Sequence, residues 1–251
     1  MSKSDFSLSE LNSFKKNIAN NNLRYGYYFS LVTSLLALLT FIIAIFTPPI
    51  SGPFCMGHCI DYPYTDIISR FPCDYLWMFP AMLLLLSFVA LMACIHNYAT
   101  IEKKVFTQIG LSLSIMSAIS LLLVYYTQVW VIQPSLIKGE TDGISLLTQY
   151  NPHGLFIAFE ELGYVLMSLA LFAIAPVFDS SNKWERAIRW IFNINLISTL
   201  ITFIIISFIF GIQREYFFEV AIITITYISL ILSGMLLARF FKLSLKRNRE
   251  I

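Results

Sequence analysis

Glu160 and Glu161 are the residues whose chemistry most needs an explanation, because they lie inside an apolar stretch spanning about residues 154–178. An acid at the centre of a membrane helix costs about 2.5 to 3.5 kcal/mol, and less toward an interface, so acids in such segments face an interior, a partner or water. At 100° per residue, His153, Glu160 and Tyr164 project within about 40° of one another, whereas Glu161 points about 100° away from Glu160. The spacing predicts that Glu160, flanked by His153 and Tyr164, faces a bundle interior and that Glu161 reaches a neighbouring helix. A carboxyl, an imidazole and a phenol on one face suit proton exchange or the binding of a small solute. A neutral glutamic acid bonded to an adjacent helix for packing alone fits the same pattern.

Further polar groups surround this centre in the sequence. Gly110, Ser114, Ser117, Tyr125 and Gln128 project within about 60° of one direction on the preceding apolar stretch,. Their small residues suit close packing against the Glu160 helix, and Tyr125 and Gln128 fall at a comparable depth. Glu219 opens the last apolar stretch, where a helix dipole gives an acid a sufficient local reason to be, so it ranks below Glu160. Three cysteines, Cys55, Cys59 and Cys73, share one loop with His58, and Cys94 lies within a helix. Loop-closure entropy favours a disulfide between Cys73 and Cys55 or Cys59, with one thiol left over. Cys55, His58, Cys59 and Cys73 do not have a zinc spacing, and Cys-x-x-Cys is absent, so no metal or redox site is expected.

Several enzymes are excluded by what the carboxylates lack. The Glu160–Glu161 pair resembles the paired-glutamate motif of the intramembrane CAAX-type protease family, but Val165 occupies the place of that motif's arginine. All three histidines, His58, His96 and His153, precede the pair instead of following it, which removes that family. No His-Glu-x-x-His, Walker or Gly-rich dinucleotide motif occurs, Ser233–Gly234 has no downstream histidine, and no lysine lies mid-span to form a Schiff base.

The elements that must position these groups follow from composition. Of 251 residues, 57% are hydrophobic and only 13% charged, about half the charge of a soluble domain,. Six stretches reach the roughly 20 residues a membrane helix needs: 27–49, 75–97, 105–132, 154–178, 187–211 and 217–241. No long run alternates with a period of two, so the class is an all-α, six-transmembrane-helix bundle forming a single domain over 1–251. Fourteen of the seventeen Lys and Arg residues fall on one side, leaving Arg70, Lys138 and Arg214 on the other. The positive-inside rule then places both termini in the cytoplasm.

Within residues 1–25, Ser7 and Glu10 have capping-box spacing, and Leu8, Leu11, Phe14 and Ile18 recur beside Lys15 and Lys16, as in a short helix on a membrane surface. Asn182 and Glu185 give a cap signal before the fifth span, His96, Asn193 and Asn195 read as interface residues, and Pro80 predicts a kink in the second span. The proline-rich loop 50–74 and the glycine-punctuated loop 135–152 cap the bundle on the side opposite the termini.

A net charge of +2 offers no basic surface for nucleic acid,. The remaining classes are a small-solute or proton-linked transporter or channel centred on Glu160, a membrane enzyme acting on a lipid, and a non-catalytic subunit. The bilayer, with a small solute or a lipid, is the expected partner; no cofactor is indicated, and homo- or hetero-oligomers stay open.

Overall fold

The structure, a computed structural model, describes residues 8–179 and 182–250. They are overwhelmingly helical, with no strand among them. The long helices are α1 (Leu8–Phe46), α2 (Met78–Tyr98), α3 (Lys104–Thr127), α6 (Leu155–Ile174), α7 (Lys183–Phe210) and α8 (Glu215–Glu250), with the short α4 (Gln133–Ile137) and α5 (Ile144–Leu147) after α3. Six helical segments are long and apolar enough to cross a membrane, and the chain is a multi-pass membrane protein,. The helices α1, α2, α3, α6 and α8 form a closed ring in that order, with α8 back against α1, while α7 packs into the outer groove between α6 and α8.

Small and hydroxylated residues hold the ring together, as expected where lipid gives helices no hydrophobic reason to associate. The polar stripe of α3 lies on α6: the Ser117 hydroxyl donates to the Gly163 carbonyl at 2.7 Å, and Ser120 donates to Phe159 at 3.0 Å. Gly163 and Gly110 permit this approach, since a Cβ on Gly163 would stand 2.5 Å from Leu121 Cγ. On α1, Thr33 bonds Ser87 of α2 at 2.8 Å and Ser34 donates to the Ile231 carbonyl of α8 at 3.0 Å. Asn195 is buried rather than interfacial, and donates to Ser229 of α8 at 3.0 Å.

Two local expectations change and a third holds. The first 25 residues do not form a separate surface helix: from Leu8 onward they continue without a break into the first span, while Ser7 lies outside the described residues. Near their other ends α1 and α8 meet again, where Asn248 donates to Asn20 at 2.8 Å, so the start of α1 and the end of α8 lie at one end of the bundle. Pro80 does not kink α2, because the helix starts at Met78 and a proline in the first turn lacks only an N–H that would have had no partner,. Asn182 does cap α7, accepting from the Trp184 N–H at 3.1 Å.

Candidate functional site

At the end away from the start of α1 and the end of α8, the ring holds a partly open cavity of about 210 Å³. Its floor is polar. Glu160 of α6 and Glu219 of α8, both buried, line it side by side. Two carboxyls set side by side away from water do not both ionise, because like charges oppose one another there. Tyr125 of α3 donates to Glu160 Oε1 at 2.6 Å, its hydroxyl lies 2.9 Å from that of Tyr164, and Tyr164 donates to Tyr227 of α8 at 3.3 Å. Three helices thus converge on one acid pair through a chain of phenols. Buried networks of this kind are stable only when every member is satisfied.

Two loops form the roof. Tyr216, at the start of α8, ties them together: its hydroxyl is 2.8 Å from Ser51 Oγ in the first loop and donates to the Gln149 carbonyl of the second at 3.2 Å. Gly52 makes the first contact possible, since its φ is +69° and the Tyr216 ring occupies the place a Cβ would need, 2.2 Å away,. The Tyr150 hydroxyl donates to Asp74 Oδ2 at 3.2 Å, and Arg70 pairs with the same oxygen at 3.3 Å. Burial, and then the neighbouring Tyr75 and Asp74, push the Tyr150 hydroxyl above the ordinary phenol range, so it remains a donor at physiological pH,.

The predicted site residues separate into three groups. Glu160, Tyr164 and Tyr125 come together as their spacing implied, and Glu219, ranked lower on the strength of the helix dipole, belongs beside Glu160. Glu161 does point elsewhere: its Oε2 accepts from Arg214 at 2.8 Å in the turn joining α7 and α8, with the guanidinium between the rings of Phe203 and Phe218.

His153 and Gln128 leave the centre. α6 begins only at Leu155, and His153 is exposed in the preceding turn, its N–H donating to Asn151 Oδ1 at 2.9 Å, so the helical periodicity used to orient it does not extend that far. Gln128 instead clamps the second loop, donating to the Leu147 carbonyl at 2.8 Å and accepting from the Gln149 N–H at 3.0 Å. It opens a π-helical turn, Gln128–Ile132, just before Pro134, whose ring would clash with the Trp130 carbonyl in a regular helix,.

The cysteine expectation is also corrected. Cys55 bonds to Cys59, and Cys73 is the free exposed thiol. A turn through Gly57, at φ +110°, brings the two Cα atoms to 5.9 Å, so local geometry outweighed the entropy of the longer loop,. Among the described residues no group of three or more His, Cys, Asp or Glu side chains is arranged to hold a metal.

Sequence reasoning missed Asp74, Tyr150, Tyr216 and Tyr227. The last two had a signal: Tyr216, Glu219, Ile223 and Tyr227 recur at helical spacing on α8, and all line the cavity,. Comparison with protein-family models, curated proteins and solved structures finds no match for the chain.

Proposed function

We propose that this protein is a carrier that takes a small solute into the cavity above Glu160 and Glu219 and couples it to proton binding at those two carboxyls. The observation that supports this reading is the buried acid pair on the floor of a cavity rather than in a dry helix contact. A packing role needs the hydrogen bonds but not the space, and acids inside membrane helices mark solute or proton paths by default. The lipid-enzyme reading, which had Glu160 or His153 as its acid or base, keeps only Glu160, since His153 is exposed and off the helix. The bias of Lys and Arg toward the terminal end supports an orientation with the roof outside and both termini in the cytoplasm.

Proteoliposomes carrying a pH gradient test the coupling, with radiolabelled amines, amino acids, polyols and carboxylates as the panel. At least one solute should accumulate when the gradient is imposed and not with Glu160→Gln, and an impermeant thiol reagent should reach Cys73 from outside. If nothing moves and a cysteine placed at Ile223 in the cavity wall is closed to small aqueous reagents from both sides, the site is structural.

A further inference from the structure

The cavity walls carry information about which solute they suit. Of the twenty residues lining the cavity, eight are aromatic, three are acidic and none is Lys, Arg or His. Asp74 is already answered by Arg70 and by Tyr150, and Glu161, behind the wall, by Arg214. What remains without a basic partner is the Glu160–Glu219 pair, which with one carboxyl ionised offers a ligand a single negative charge. A hard metal ion is a poor match, because it asks for six or more oxygen ligands and these two carboxyls stand among aromatic rings,. An ammonium suits the rings, whose faces attract cations most strongly where water is excluded. A dry cavity of about 150 Å³ holds benzene, so 210 Å³ holds roughly six to nine heavy atoms.

We infer that the cavity binds a small organic monocation, an alkylammonium whose charged head sits on the Glu160–Glu219 pair and whose alkyl groups lie against Trp77, Tyr164 and Tyr227. This deepens the carrier reading and rests on it. The charge balance defines the exchange: one cation enters as a second proton leaves the pair, and the cation leaves when that proton returns, so the two compete for one negative charge. The other titratable groups around the pair do not disturb this count. Tyr125 faces it from α3, Tyr164 from α6, and Tyr216 and Tyr227 from α8; Tyr150 lines the cavity from the roof, where Asp74 pairs with Arg70. Glu161 pairs with Arg214, and α1 presents Phe41 and Thr47, which do not titrate. Phenols keep their protons below about pH 9.

Calorimetric titration of the purified full-length protein with choline, and with its neutral isostere bearing tert-butyl in place of trimethylammonium, tests the inference. Choline should bind at least tenfold more tightly than the isostere and weaken by up to tenfold per pH unit on acidification. Glu160→Gln should erase the preference, and Trp77→Leu should cost choline roughly tenfold while Trp77→Phe restores most of it. Equal affinity for choline and isostere would overturn the cationic ligand and leave the solute site standing. So would failure of choline, tetramethylammonium and benzylammonium all to bind while a cysteine at Ile223 is open to aqueous reagents. If none binds and Ile223→Cys is closed, the inference and the carrier reading fall together.

Discussion

Replacing Tyr125 with Phe removes one oxygen atom from the centre of the site and little else. The ring contacts, edge-on to Trp77 with centroids 5.1 Å apart and tilted against Phe156 at 5.9 Å, survive the change. What is lost is the 2.6 Å bond to Glu160 and the 2.9 Å contact with Tyr164. Side-chain hydrogen bonds between membrane helices average about 0.6 kcal/mol and reach about 1.7, and a bond ending on an ionised carboxylate is about twice as strong as a neutral one. A short, fully buried bond to an acid therefore belongs at the upper end, and Tyr125→Phe should cost about 1.5 kcal/mol in reversible SDS unfolding from mixed micelles. Glu160→Gln alone has no certain sign, since it relieves a desolvation cost while weakening a bond. The informative quantity is the double-mutant cycle: Gln still accepts a neutral hydrogen bond, so the cycle reads the charge-assisted share, about 1 kcal/mol. Tyr126→Phe is the control, its ring half-exposed and stacked on Trp130, and should cost under about 0.5 kcal/mol,. Additivity of Tyr125→Phe and Glu160→Gln to within about 0.3 kcal/mol would refute an ionised Glu160 as the acceptor of the Tyr125 hydroxyl.

Gly163→Ala gains about 1 kcal/mol of helix propensity but drives a Cβ into the buried Leu121, 2.5 Å from its Cγ; overpacking of about 1 to 3 kcal/mol should win, with a net loss of about 1, and pairing it with Leu121→Ala should reverse the sign of the glycine change. Gly52→Ala meets both a left-handed backbone, costing about 1 to 2 kcal/mol, and the Tyr216 ring, so thermal unfolding should show it as the larger loss, reduced to the backbone share in a Tyr216→Ala background,. Mass mapping without reductant should find Cys55 linked to Cys59, with Cys73 alkylated in the folded protein and Cys94 only after unfolding; a Cys73 disulfide would contradict the loop geometry.

The helices were legible because lipid imposes one demand, about 20 apolar residues without a break, and the chain meets it six times. Side-chain direction was legible only inside a helix. Periodicity oriented Glu160 and Tyr164 correctly, and failed for His153 because Asn151–Pro152 had already turned the chain into a loop. Glu219 was masked by a sufficient local cause, the helix N-terminus, while its partner came from a segment 59 residues earlier. No spacing rule brings Asp74 to Tyr150 across 76 residues. The disulfide was misplaced for a related reason: chain entropy ranks loops by length, and a glycine turn at Gly57 decided which sulfurs could meet.

Because the first helix is neighbour to the last, biosynthesis leaves the ring open until its final segment is made. During most of translation α1 displays Ser30, Ser34 and Thr40 to lipid along the flank that α8 later covers, and Glu160 waits in the bilayer without Glu219. Hydroxyls and a lone carboxyl on a lipid-facing surface are costly for as long as they lack partners. Chains that stall before α8 therefore leave these groups facing lipid, and the same closing helix that delivers Glu219 to the site also covers them.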